Sequence, residues 1–417
     1  MKDSIKNKIK ETIKKTRLKR KSQKCRTFEL KIDESHLNKT QKEYLKMFFV
    51  EAKWLYNYIL SQDNPFDYDY KTNPIKKKNK DGEFEDITLK YLSAKNKQDI
   101  LYQLRQNIYS LSKAKKKGLE IGELKFKSNC KAIELSQYGT THEIISINRI
   151  RINKINKPLK VHGLDQIKED YDLANAKLIK KPSGYYIKLT CYEFIKPEQP
   201  TNKKDIGIDF GIKNNITTSE GEIFNISIEE TERLKRLMTK MNRRQIKGSK
   251  NRYKTKHLIQ KEYEKINNKK KDAANKIVNY LLTNYSHVYI QDENLRGWQS
   301  GWFGKQIQHS CMGTIKSKLK QFNSVTVVDG YFPTTKMCYK CGKINTISLD
   351  ERTYTCVCGL SEDRDIKAAK TILLAGQNKL IPMERRNSKP VEKQTSVLTD
   401  SNVVRVSSTS MNQEASL

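Results

Sequence analysis

The sequence predicts a mixed α/β protein: a β-rich lobe with helices set into it, followed by an α/β part that carries a compact cysteine module. Three observations point there. Strand patterns and amphipathic helices alternate along the chain; a strand bearing one acid opens the second half in the stretch IGIDFGIKNNITTSEGEIFN (206–225); and four of the eight cysteines crowd into positions 338–358. In that strand Ile206, Ile208, Phe210 and Ile212 fall on one side of a period-2 pattern, with Asp205, Gly207, Asp209 and Gly211 on the other. Aspartate is depleted in strands, and a carboxylate beside a core is costly unless hydrogen bonds or a metal offset it. The flanking glycines leave room for a ligand backbone to approach Asp209. An acid capping a strand end before a turn is the plain alternative. Convergence of other acids on Asp209 decides between the two.

Composition narrows the partners. With 417 residues the chain can hold two or three domains with real cores, and 82 Lys+Arg against 47 Asp+Glu give a formal charge of +35. A lysine-rich background would raise the acids too, so the imbalance is the footprint of a polyanion binder. No apolar run approaches the ~18 residues that span a bilayer, and the first residues lack a signal peptide's apolar core. A soluble, cytoplasmic protein with no membrane partner is expected. Cys25, Cys130, Cys191 and Cys311 stand singly, which suits a reducing compartment with one metal site better than a disulfide framework.

Taken in order, residues 1–24 form a basic arm that could be helical on RNA and disordered without it, a solvated charged tail being the equal alternative. CRTFELKID alternates Phe28, Leu30 and Ile32 as a strand. Leu45, Phe48, Phe49, Ala52, Leu55, Tyr56 and Ile59 recur at helical spacing, as do Leu101, Leu104, Ile108 and Leu111, with a polar loop between the two helices. Residues 119–197 return to strand patterns: LKFKS, AIELS, EIISINRIRI, PLKVHG, and a hairpin turning at Pro182, Ser183 and Gly184. In its second arm Tyr186, Lys188, Thr190 and Tyr192 make a face that could stack on RNA or simply be half-buried. A linker at PTNKK (200–204) leads to the acid-bearing strand, then to helices over 226–285 broken at KGSKNRYKTK, a basic loop suited to phosphate. HVYIQDENL is a short buried strand, 304–321 a helix, SVTVVD a strand and 365–374 the last helix; the tail beyond 383 reads as disordered.

Three acids now stand in comparable positions: Asp209 in the first strand, Glu293 after the buried strand, and Asp365 at the start of the last helix. Three, four and seven residues beyond Asp365 come Ala368, Ala369 and Ile372, so its helix face packs on the sheet, and the alanines allow close approach. Three carboxylates at one site need divalent cations between them, and Mg²⁺ favours such oxygen ligands in the two-metal arrangement for phosphodiester hydrolysis. Each acid alone is weak, since Asp363 or Asp365 could cap the helix. Cys338-Tyr-Lys-Cys341-Gly and Cys356-Val-Cys358-Gly supply a closed tetrahedral Cys₄ set, the donor set of a structural zinc, with a second knuckle tightened by its Cys-x-Cys spacing.

The series IGIDFGIKN, VYIQDENL, DGYFPTTKMCYKCG, YTCVCGL and EDRDIKAAKTIL resembles the split RuvC-like nuclease of the TnpB family, transposon-encoded RNA-guided DNA endonucleases related to miniature type V CRISPR effectors. The likeness is specific over 204–376 and looser over 25–197. It implies an RNase H-like sheet with Asp209, Glu293 and Asp365 as catalytic ligands of two Mg²⁺, and Cys338, Cys341, Cys356 and Cys358 as zinc ligands. It also implies a guide RNA and target double-stranded DNA as partners, and a prokaryotic, nucleoid-associated protein, expected to be a monomer. The implied domains are the arm (1–24), a first strand (25–35) of a barrel-like wedge, an inserted helical recognition domain (36–118), the remaining wedge (119–199), the nuclease (200–336), the ribbon (337–360), the end of the nuclease (361–382) and the tail (383–417). One departure is Lys367, where the family usually has Asn two residues after the last acid, which could weaken positioning near the metals. A type V CRISPR effector, a strand-joining transposase and a guide-dependent DNA-binding regulator that does not cut are the alternatives.

Overall fold

In a computed structural model, residues 2–79, 82–195, 203–348 and 350–380 are described. The expected tail (383–417) and the start of the linker at 200–202 lie outside them. The chain divides into two packed units, Met1–Gln199 with Arg233–Glu264, and Pro200–Glu232 with Lys265–Leu417.

The first unit begins with α1 (Lys2–Lys21), a helix where the sequence left open both an arm ordered on RNA and a solvated charged tail. Its last turn is tied down: the Arg20 guanidinium lies 3.7 Å from the Tyr192 ring centroid, and Lys19 and Arg20 both pair with Asp172, at 2.6 and 3.2 Å. The strand β1 (Gln23–Lys31) and the helix α2 (Lys39–Leu60) follow, with Asn38 and Gln41 closing a reciprocal capping box at the helix start. Leu45, Phe48, Ala52, Leu55 and Ile59 are buried, as their spacing requires. The loop expected next contains a small hairpin, β2 (Ile75–Lys78) with β3 (Phe84–Ile87), before α3 (Ala94–Lys116). Glu51, 2 % exposed, accepts the backbone N–H groups of Lys90, Tyr91 and Leu92 and so fixes the approach to α3.

The expected strand LKFKS is irregular. Asn57 takes both the N–H and the carbonyl of Lys127, at 2.8 and 3.0 Å, so these groups are spent on α2 rather than on a ladder. The strands β4 (Ala132–Leu135), β5 (His142–Ser146), β6 (Arg149–Ile152), β7 (Leu159–Lys160), β8 (Asp172–Lys181) and β9 (Gly184–Phe194) complete two antiparallel sheets, ordered β1-β9-β8-β4 and β5-β6-β7. The wedge was expected to be barrel-like, and among the described residues no barrel closes. The two sheets meet through the single bridge Ile32↔Val161, and β4 stays an edge strand, so the sheet turns a corner where a barrel would need a ladder. On β9, Ile187, Leu189 and Cys191 are buried, while Tyr186 and Tyr192 already carry the chain's own cations, Lys181 and Arg20.

The second unit is built on β10 (Ile206–Phe210), β11 (Ile216–Thr218) and β12 (Ile223–Phe224). Next come α4 (Glu232–Arg243) and the long α5 (Lys250–Asn284), whose earlier residues belong to the first unit. Then follow β13 (Val288–Gln291), α6 (Leu295–Ser300), α7 (Gly304–Ser310), α8 (Met312–Leu319), β14 (Val325–Val328), the hairpin β15 (Thr353–Thr355) and β16 (Ser361–Asp363), and α9 (Arg364–Gly376). The single helix expected over 304–321 is two, because buried Cys311 sits at φ 59°, a left-handed conformation that ends one helix and starts another. The sheet runs β12-β11-β10-β13-β14; β10, β13 and β14 are parallel, and β11 is antiparallel to both neighbours. This is a mixed α/β fold.

His142, 2 % exposed beneath the edge of Tyr138, is pushed by burial from its ordinary 6.5 down to about 4. The native state therefore refuses a proton that the unfolded chain accepts. Its contribution is complete above pH 6.5 and is lost as pH falls toward 4, at most roughly 3 kcal/mol. Urea midpoints of wild type and His142→Gln at pH 7.5 and 4.5 check this: the wild type should lose more stability between the two, and equal losses would exclude the imidazole as the source.

Candidate active site and metal centre

The site is made where α9 lies on β10. Ile206, Ile208 and Phe210 are buried on one face, and Gly207 on the other touches the helix directly: a Cβ there would stand 2.1 Å from Ala369 O and 2.8 Å from Leu373 Cβ. The room beside Asp209 is thus taken by α9 backbone, where the sequence suggested a ligand. Ala368, Ala369 and Ile372 are 2 % exposed or less on the face that meets the sheet. Asp363 caps the helix, accepting from the N–H groups of Asp365 and Ile366 at 2.9 and 3.1 Å, and this leaves Asp365 in the first turn free for the site.

Asp209, half-buried on β10, is pushed up first by burial and then by the neighbouring Asp365 carboxylate, with Arg364 and Lys367 opposing. Glu293 lies just past the end of β13. Burial and then Asp209 push it up, and its buried Oε2 has no hydrogen-bond partner. Lys316, buried on α8, fixes the turn at that point by donating to Glu293 O at 2.6 Å and pairing with Asp292 at 3.0 Å. The three acids named from the sequence therefore belong to one electrostatic cluster. A buried, unpartnered carboxylate oxygen on Glu293, beside Asp209, fits a divalent cation in its chemistry.

Sequence reasoning missed the partners of Asp365. Asn214 Nδ2, from the turn between β10 and β11, donates to its Oδ2 at 3.1 Å, while Arg364 Nε and Arg352 Nη1 stand 3.6 and 3.8 Å from the carboxylate. Nothing in the spacing of Asn214 or Arg352 marks them, because only the fold brings the turn and the ribbon to α9.

The cysteine module fits a structural zinc. Cys338 and Cys358 Sγ are 3.6 Å apart, as are Cys341 and Cys356. A tetrahedron with Zn–S bonds of about 2.3 Å has S···S edges of about 3.8 Å. Each knuckle ends in a glycine of positive φ, Gly342 at 75° and Gly359 at 85°, whose N–H returns to the carbonyl of the knuckle's first cysteine. The second closes one residue sooner, which is how Cys-x-Cys is accommodated.

Lys367 binds the module to α9. It is fully buried, its ammonium donates to the carbonyls of Thr334 (3.0 Å), Thr335 and Met337 (3.1 Å), and it lies 3.9 Å from the Tyr354 ring centroid at the ribbon's core. Burial lowers it to about 8, partly offset by the thiols and Asp209. Where the sequence raised concern over metal positioning, the side chain instead holds the root of the ribbon.

Two family models match the chain: one described as "Probable transposase" over residues 189–299, and one for the "Cas12f1-like, TNB domain" over 312–372. The first spans Asp209 and Glu293, the second the four cysteines and Asp365. A "Putative RNA-guided DNA endonuclease" of Streptomyces pristinaespiralis is 27 % identical over 60 % of this chain and 65 % of its own length. By these matches the chain is homologous to proteins of the TnpB and Cas12f type. A TnpB-like protein of Acanthamoeba polyphaga mimivirus is 26 % identical over 44 % of this chain and 39 % of its own length. The chain thus spans less than two thirds of these curated TnpB-type relatives. The solved structure of a Cas12f1-sgRNA-target DNA complex aligns over 66 % of this chain and 70 % of that one, with 15 % identity and a TM-score of 0.40.

One zinc per chain is expected by elemental analysis, lost in Cys341→Ser. Lys367→Met leaves the carbonyls of Thr334, Thr335 and Met337 short of a donor, at a cost of about 1–3 kcal/mol. Zinc transfer to a chelating dye should then run roughly tenfold faster; an unchanged rate in a folded variant would show that the ammonium does not support the ribbon.

Proposed function

We propose that the chain is an RNA-guided DNA endonuclease that cuts DNA paired to a guide RNA beside a short flanking motif, with Asp209, Glu293 and Asp365 as ligands of two Mg²⁺. The observation that carries this reading is the mutual electrostatic strain of the acids: Asp209 is raised by burial and Asp365, Glu293 by burial and Asp209, and one Glu293 oxygen is left without a partner. Such a set is stable as anions only with cations beside it. When bound, the ions supply an activated water and stabilise the leaving 3′ oxygen. The chain's own residues do the rest. Asn214 orients the Asp365 carboxylate, and Arg352 and Arg364 put positive charge where a phosphate would arrive.

The formal charge of +35 suits holding a heteroduplex by its backbone, with base pairing supplying the sequence specificity. The first unit is the lobe assigned to that task, its α2–α3 part as the recognition domain and its sheets as the wedge. No membrane is involved in this reading, and among the described residues no helix is long and apolar enough to cross one.

The test is to sequence the RNA that co-purifies with the chain and to challenge it with matching DNA, with and without Mg²⁺. Wild type should cut only with Mg²⁺, while Asp209→Ala should cut at background level and keep its RNA and DNA affinity. Cutting that survives Asp209→Ala, or RNA binding lost from a folded Asp209→Ala, would overturn the assignment; strand joining into a target would mark a transposase.

A further inference from the structure

The loop 329–336 joins β14 to the first cysteine knuckle without helix or strand, yet its backbone is held along most of its length. Gln291 Nε2 donates to the carbonyls of Asp329 (3.1 Å), Gly330 (3.2 Å) and Phe332 (2.8 Å), while Thr334 Oγ1 donates to Gln291 Oε1 at 2.7 Å. Lys367 takes the carbonyls of Thr334 and Thr335. Gln291 is 5 % exposed and Lys367 fully buried. Both have committed their donors to the loop, so what they supply is its shape, the kind of support a preformed binding wall needs.

That shape walls a cleft of about 460 Å³. The volume lies in the ~300–1,000 Å³ range of ligand sites. Trp298, Phe332 and Pro333 give it an apolar surface, Asn294 and Lys336 polar edges, and Glu293 closes it on the side of the acid cluster. Flat apolar groups with a cation at the rim, opening onto carboxylates that handle a phosphodiester, match one kind of occupant. A sugar would call for more hydrogen-bonding groups, and a second metal for more than the one acid present.

We infer that this cleft is a nucleobase site, which takes the base of the nucleotide flanking the bond that Asp209, Glu293 and Asp365 act on, in a single DNA strand. The inference rests on the nuclease reading for its choice of strand and position. The base stacks against the Trp298–Phe332 surface, and the adjoining backbone meets Lys336. Glu293 lines both the cleft and the acid cluster, so a strand with its base seated has its neighbouring phosphate at the acids. Stacking tolerates every base, so the site holds position and reads no sequence.

The experiment uses the full chain as purified and single-stranded DNA oligonucleotides with the fluorescent base 2-aminopurine at successive positions, binding being followed separately by anisotropy. Quenching should occur at one position, and an abasic residue there should weaken binding about tenfold, with abasic residues elsewhere tolerated. Trp298→Leu, or Phe332→Ala should the first variant fail to fold, should remove both effects. DNA bound with no position quenched, abasic residues tolerated equally everywhere, or no DNA bound at all would each overturn the base site. Cleavage of matched DNA is scored independently: quenching without cutting keeps the base site and removes the nuclease reading, whereas cutting without quenching does the reverse.

Discussion

The contact of α9 with β10 through Gly207 is the constraint on which the rest of the second unit depends. A helix and a strand normally stand apart by the thickness of their side chains. Here the strand offers only hydrogen at Gly207, and the helix answers with Ala369 O and Leu373. Two carboxylates that would otherwise sit in separate layers are drawn into one environment. The sheet makes the arrangement stiff, because β10 is hydrogen-bonded on one side to β11 and on the other to β13, the strand that leads to Glu293.

A chain so rich in lysine and arginine keeps an anionic centre by rationing the cations near it. Arg364 and Lys367 offset the charge on Asp209, and Lys316 does so for Glu293. Each is already engaged: Lys316 with Glu293 O and Asp292, Lys367 with loop carbonyls, Arg364 beside Asp365. Cations anchored in this way temper the repulsion among the acids. Lys367 does this while tying the ribbon to the helix, so the cysteine module and the acids share one structural member.

The parts of the site that local pattern could carry were legible in the sequence. The alternation around Asp209, the alanines following Asp365 and the cysteine spacing each reflect a constraint within one strand, helix or turn. What escaped depends on residues far apart in the chain. The use of Gly207 needs the position of a helix that begins at Arg364, and the task of Lys367 needs the carbonyls of Thr334, Thr335 and Met337. Cys311 gave no warning of a helix break, since a left-handed cysteine has no compositional mark. The corner between the first unit's sheets was hidden likewise, because strand patterns do not state which edges will pair.

The first unit draws its residues from two separate stretches of the chain, and the second of them, Arg233–Glu264, is encoded inside the sequence of the second unit. A gene cut near codon 200 would therefore not yield two complete modules: the leading fragment would lack part of its own substance, and the trailing one would carry a foreign insert. Exchange of lobes between relatives, by recombination or in the laboratory, requires three matched crossovers instead of one. That interleaving ties the inheritance of the two units together more tightly than any single junction could.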